Sequence, residues 1–198
     1  MIHAEMRSCE WAPDGIELRP LTGGDAQTYA ELLIAIWRET YNGLMPAERL
    51  SSLELGAVTN QARRMLDDPN GPSTLGAFRG DALVGWARAG EPRDDGAPLD
   101  LELHSLNVAR EARGTGVARH LMENALGGRS AYLWVVEGNE RARSFYHRSG
   151  FRDDGERRWE ETDQTHEVRM VRLADATVLS GTVRPPCADG EGRPWYSK

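Results

Sequence analysis

The stretch LELHSLNVAREARGTGVARHLMENAL, Leu101 to Leu126, decides how the rest of the chain is read. Its first eight residues, Leu101 to Val108, read as a strand, and from Val117 on it reads as a helix. Val117, Ala118, Leu121, Met122, Ala125 and Leu126 recur at helical spacing, which predicts an inward face, with Arg119, Glu123 and Asn124 turned to water. Between strand and helix lies the glycine-containing turn Arg113-Gly114-Thr115-Gly116-Val117-Ala118, whose small residues let backbone N–H groups converge where a helix begins. The first turn of a helix has unpaired N–H groups and the positive end of the macrodipole, so this turn is a candidate phosphate site.

Two phosphate motifs are excluded by specific atoms. The dinucleotide fingerprint fails because Arg119 stands where its third glycine belongs, and the P-loop fails because no Gly-Lys-Ser/Thr follows; Lys198 is the only lysine in the chain. What remains, Arg-x-x-Gly-x-Ala after a strand, resembles the coenzyme A pyrophosphate motif of the GNAT superfamily of acyl-CoA N-acyltransferases. The segment LWVVEGNERARSFYHRSGFR extends the resemblance: Asn139, Ala142, Phe145, Tyr146, Gly150 and Phe151 match the superfamily's next strand and helix in order and spacing.

The resemblance implies an α/β (α+β) fold, with a central mixed, mostly antiparallel sheet, a splayed central strand pair and about four flanking helices. It also implies site roles. The pantetheine arm of acetyl-CoA would pair with the backbone of Leu106 and Val108, and an N–H of Leu106 or Asn107 would hold the acyl carbonyl oxygen. The pyrophosphate would sit on residues Arg113, Gly114, Thr115, Gly116, Val117 and Ala118, with Asn139 as a helix cap that also touches the coenzyme. Tyr146 is the expected general acid toward the leaving thiolate, against the plainer reading of a Phe-Tyr pair packed at a helix end. Glu102, eleven residues before Arg113, is the candidate general base; His104 on the same strand face, or a chain of waters, are the alternatives. Trp37, Tyr41 and Leu44 are candidates for the acceptor wall, unless Trp37 is simply core.

Chain length and composition agree with a single globular domain: 198 residues, 39% hydrophobic, 28% charged. The formal charge of -7 argues against nucleic acid as the main partner and leans toward a cationic substrate, although acidity also serves solubility alone. Cys9 and Cys187 lie near the termini without metal-ligand spacing, so free thiols, no metal and a reducing compartment are expected. No signal peptide or membrane-length apolar run is present in the sequence, which gives a cytoplasmic expectation with no membrane partner. A homodimer is admissible, since dimers are frequent in the superfamily.

Residues 1–14 read as an N-terminal extension, 15–174 as the N-acetyltransferase domain and 175–198 as an irregular or docked tail whose Trp195 and Tyr196 could bind a body or a partner. Within the domain, a strand is expected at Ile16 to Arg19 and a first helix from Asp25 to Asn42-Gly43. A second helical stretch follows from Pro46 to Asp67 or Asp68, broken near Gly56. The hairpin signal Gly80-Asp81 separates strands at Thr74 to Arg79 and Ala82 to Ala89; Gly85 marks a bulge or close approach, and 90–98 is a polar loop that either covers the acceptor site or merely connects. Later strands are expected at Ala131 to Val136, from Phe151 onward, and from Glu167 to Leu173 after a charged stretch. His120 and His147 are placed on outward helix faces.

The leading expectation is an acetyl-CoA-dependent N-acetyltransferase that acts on a primary amine, of small cationic type, by direct attack in a ternary complex. A protein or peptide N-terminus is the alternative acceptor, and a non-catalytic acyl-CoA-binding sensor is the alternative of another class.

Overall fold

A computed structural model describes residues 13–174. The outer part of the N-terminal extension, the tail, both cysteines and Trp195 with Tyr196 lie outside the described residues. The elements run β1 Ile16–Pro20, α1 Ala26–Thr40, α2 Ala47–Ser51, α3 Leu55–Leu66, β2 Thr74–Arg79, β3 Ala82–Gly90, β4 Glu102–Val108, α4 Val117–Leu126, β5 Ala131–Val136, α5 Glu140–Arg148, β6 Arg152–Glu160 and β7 Thr165–Arg172. Among the described residues the strands form one seven-stranded sheet in the order β1-β2-β3-β4-β5-β7-β6. Every neighbouring pair is antiparallel except β4 with β5. Five α-helices form among the described residues, in line with the expected four or so, and the break in the second helical stretch falls at residues 52–54 rather than at Gly56, which lies in the first turn of α3.

Helices cover both faces. Leu103, Val117, Leu121, Leu126, Leu133, Val135, Tyr146, Phe151 and Met170 close one core beneath α4 and α5. On the other face α1 and α3 bury Tyr29, Ile36, Ala62, Phe78 and Trp86, and a third cluster joins Ile34, Met45, Leu50 and Val136. A helix packed this closely on a sheet buries more than its apolar stripe. His120 and Asn124, both read as outward, are 6% and 5% exposed. Asn124 Nδ2 donates to the His120 carbonyl at 2.8 Å, so its amide bonds the helix's own backbone instead of water.

The strand expected from Phe151 onward is β6, and it runs on through most of the charged stretch to Glu160. It is the sheet's edge strand and is mostly exposed, so it needs no apolar alternation; Arg158 pairs across to Glu167 on β7 and Arg157 to Glu137, just after β5. Its partner β7 begins at Thr165, two residues before the expected start.

Two irregularities position the site. Between β3 and β4 the register passes from Arg88↔Ser105 to Ala89↔Leu103, so His104 is bulged out of the ladder. The bulge lets Leu103 and Leu106, an odd number of residues apart, pack on the same core. Further along the same pair, opposite Val108, Gly85 permits the close approach foreseen for it: a Cβ there would stand 2.7 Å from the Asn107 carbonyl oxygen. The second irregularity is the β4–β5 pair, which holds only one residue pair, Glu102↔Tyr132, with the Tyr132 N–H on the Leu101 carbonyl at 3.0 Å. Beyond it the strands diverge.

Candidate active site

The divergence of β4 from β5 makes a V whose closed end is Glu102–Tyr132 and whose mouth lies at Val108 and Val136. In an antiparallel ladder alternate residues turn their N–H and C=O toward the partner strand. The Ala109 N–H donates to the Val84 carbonyl at 2.9 Å, so with the register Gly85↔Val108 and Trp86↔Asn107 the backbone of Asn107 faces β3. The backbone groups of Leu106 and Val108 therefore face the gap, where β5 supplies no pairing. Of the two N–H groups considered for the acyl oxygen, that of Leu106 points into the opening and that of Asn107 does not.

At the mouth a short turn, Arg110–Ala112, leads into Arg113 and the two glycines. Gly114 and Gly116 take φ of 78° and 90°, a region that L side chains rarely adopt. Thr115 Oγ1 donates to the Ala112 carbonyl at 2.7 Å and fixes the loop. The first helical bond of α4 runs from the His120 N–H to the Gly116 carbonyl at 3.0 Å, which leaves the N–H groups of Val117 and Ala118 in the first turn without an intrahelical acceptor. The glycine turn and the first turn of α4 thus form a cradle at the mouth of the V, beside the open edge of β4. Arg113 itself turns away from the cradle. Its NH1 and NH2 each donate at 2.9 Å to one oxygen of Glu39 on α1, and its Nε donates to the Val108 carbonyl at 3.3 Å. Arg113 holds the Glu39 carboxyl below its ordinary pKa, and Arg110 stands 3.7 Å from the same group. Glu39 had no signal in the sequence, since its partner is 74 residues away.

Tyr146 is buried on α5, edge-on to Phe145 and Phe151 at ring-centroid distances of 5.4 and 5.7 Å. It packs in the cluster that also takes Leu106 and Val108 from the gap's rim. Burial raises its pKa above that of a free phenol, and the neighbouring phenol of Tyr41 adds to the rise, so the hydroxyl stays protonated and able to donate. Asn139 caps the same helix: its Oδ1 accepts from the Ala142 N–H at 3.1 Å. Trp37, Tyr41 and Leu44 come together around Val136, with Trp37 edge-on to Tyr41 at 5.5 Å. Burial pushes the Tyr41 phenol up to about 12, and the charges of Glu167 and Asp163 contribute.

Glu102 does not sit as a free base. It is fully buried at the closed end of the V, and each oxygen already accepts twice. Oε1 takes Arg93 Nε at 3.0 Å and a short contact from Arg93 NH2; Oε2 takes the Arg93 N–H at 2.9 Å and the Tyr132 hydroxyl at 3.2 Å. Burial opposes its ionisation, but the Arg93 bonds prevail and hold its pKa below the ordinary carboxylate value. His104 lies beside it, Nε2 3.7 Å from Oε2, and since a carbonyl can only accept, that Nε2 donates to the Glu91 oxygen at 2.9 Å. Burial lowers its pKa, so the imidazole is neutral, with Nδ1 as its remaining acceptor site.

The 90–98 loop is pinned across the sheet face by this latch and by Asp94, which accepts from Trp134 Nε1 at 2.6 Å and from Arg158 NH1 at 2.9 Å. We expect Glu102→Gln to lower stability by about 1–3 kcal/mol through loss of the latch, the smaller end applying because Arg93 is half-exposed and can turn to water. The wild-type contribution is present above about pH 4.5 and is lost as pH falls through the depressed folded pKa, so acid unfolding curves of the two proteins should converge at low pH. A turnover loss at an unchanged melting temperature would reinstate Glu102 as a base.

Among the described residues no group of three or more His, Cys, Asp or Glu side chains could hold a metal, and no helix is long and apolar enough to cross a membrane. A cleft of about 1090 Å³, lined by Pro72, Thr74, Glu91, Leu101, Asn124 and Arg129, opens at the other end of β4, away from the cradle and Tyr146.

Comparison with known proteins places this geometry. Residues 30–151 match the Acetyltransferase (GNAT) family. The chain is 35% identical over 83 residues to the Mycothiol acetyltransferase of Geodermatophilus obscurus; the match covers 38% of this chain and 27% of that protein, so the chain spans about a quarter of that relative. The fold is shared with PaiA N-acetyltransferase from Thermoplasma acidophilum in complex with coenzyme A, at a TM-score of 0.61 and 22% identity over 80% of this chain and 98% of that one. It is shared also with YjaB from Escherichia coli (TM-score 0.59, 21% identity, 81% and 99% covered). Arabidopsis thaliana NAA60 in complex with a bisubstrate analogue is a further match (TM-score 0.56, 16% identity, 81% and 99% covered). With the splayed strands, the glycine cradle and the helix that carries Tyr146 all inside the matched residues, the chain belongs to the GNAT acetyltransferase family.

Proposed function

We propose that the chain transfers the acetyl group of acetyl-CoA to a primary amine of a small, cationic acceptor by direct attack in a ternary complex. The observation that carries this reading is the continuous path from the α4 N-terminus along the unpaired edge of β4 to Tyr146. A thioester is already activated, so the protein has to position it, polarise its carbonyl and protonate the departing thiolate. In this reading the N–H groups of Val117 and Ala118 receive the pyrophosphate, the backbone of Leu106 and Val108 pairs with the pantetheine arm, and the Leu106 N–H holds the acyl oxygen. Tyr146 donates to sulfur. Trp37, Tyr41 and Leu44 wall the acceptor.

A small acceptor is favoured over an extended peptide because the 90–98 loop, tied down by Asp94 and Arg93, crosses the face on which a peptide groove would have to run. Thiol release from acetyl-CoA, measured against spermidine, an aminoglycoside, free amino acids and short peptides with a no-acceptor blank, tests the reading. Release with a small cationic amine is the expected result. Release with peptides alone moves the acceptor to protein N-termini, and silence with every amine while acetyl-CoA binds favours a sensor.

A further inference from the structure

We propose that Glu167 receives the acceptor's ammonium group and takes its proton, the task that Glu102 is too fully bonded to perform. The inference rests on the N-acetyltransfer reading above. Glu167 lies on β7 directly opposite Val136, the last residue of β5, in register at the mouth of the V. Its strand neighbours Val168 and Met170 enter the core under α5, so strand alternation turns Glu167 to the opposite face, where Trp37, Tyr41 and Leu44 pack around Val136.

The carboxylate is held but not used up. Arg158 Nε and NH2 both reach Oε2, each at 2.8 Å, which fixes the group's orientation. Oε1 accepts no hydrogen bond among the described residues, yet it is not sealed from solvent. The side chain is 16% exposed, the degree of shelter suited to a group that must meet a ligand. Its surroundings are Arg158 on β6, Arg93 on the loop, Tyr41 at the end of α1, and Glu160 and Asp163 at the β6–β7 hairpin. Burial and the two neighbouring carboxylates raise its affinity for a proton. Tyr41 interacts electrostatically with both Glu167 and Tyr146, so proton acceptor and proton donor both lie near one residue.

The step balances as follows. A proton leaves the ammonium for Oε1, and the freed lone pair forms the C–N bond at the acetyl carbonyl carbon while the C–S bond breaks. The thiolate takes the Tyr146 proton, the nitrogen's second proton returns to the Tyr146 phenolate, and Glu167 releases its own to water. One proton appears per amide and thiol formed.

The test compares wild type, Glu167→Gln and Arg158→Gln with acetyl-CoA and whichever amine of the panel the wild type uses, with coenzyme A affinity and melting temperature as companions. We expect Glu167→Gln to lose about a hundredfold in kcat/KM for the amine, with coenzyme A affinity within twofold of wild type. Arg158→Gln breaks the same ion pair but leaves the carboxylate, and should keep more than a tenth of the wild-type value. Wild-type kcat/KM in Glu167→Gln, or an equal fall in both variants, would overturn the assignment by showing the carboxylate idle or merely structural. A wild type that binds acetyl-CoA but uses no amine would instead overturn the underlying reading, and the Glu167 role with it.

Discussion

Replacing Gly116 by valine should lower coenzyme A affinity at least a hundredfold while the protein stays folded. The residue has φ of 90° at the N-cap of α4, a conformation that costs a β-branched side chain about 1–3 kcal/mol. Space is not the obstacle, since a Cβ there would meet only Pro13 Cγ at an ordinary 3.5 Å. The strain is relieved by rotating the Gly116 backbone, and that rotation disperses the N–H groups of Val117 and Ala118 on which the pyrophosphate reading depends. A hundredfold loss is about 2.7 kcal/mol, within reach of that strain together with a misaimed anion site. Titration calorimetry with coenzyme A measures it. Gly56→Ala serves as the control, because that glycine lies in α3 with nothing within 4 Å of its would-be Cβ. Wild-type affinity in Gly116→Val would mean that the phosphates bind elsewhere.

The parts of this site that could be read from sequence are those whose physics is local. A glycine pair before an apolar helix, an Asn at a helix start and a Gly-Asp between two strands each act within a few residues, and each took the expected structure. Residues whose role is set across the fold were misread or missed. Glu102 has the spacing of a base, but its surroundings are decided by Arg93, nine residues away on a loop. Glu39 and Glu167 carry no periodic signal at all; one is defined by Arg113 and the other by its place opposite Val136. The same limit sets how far β6 could be read. A strand is expected from Phe151 onward, but its run through the charged residues to Glu160 shows no apolar alternation, because an edge strand faces water on most of its surface.

Tyr146→Phe should reduce turnover about a hundredfold and leave coenzyme A affinity within twofold of wild type. The substitution removes one hydroxyl and keeps the ring, which continues to pack edge-on against Phe145 and Phe151, so the melting temperature should hardly move. The magnitude follows from the leaving group. A thiol with a pKa of about 8.5 departs tolerably as a thiolate, so a proton donor helps less here than it would with an alkoxide, and the loss belongs at the low end of acid-catalysis effects, which run from roughly 10² to 10⁴. Because the folded-state pKa of Tyr146 is raised above that of a free phenol, the hydroxyl stays protonated between pH 7 and 9, and deprotonation of this group should put no falling limb in kcat across that range. Wild-type turnover in the phenylalanine variant would mean that the thiolate leaves unassisted or takes its proton from water, and would reduce Tyr146 to a packing residue of the α5 core.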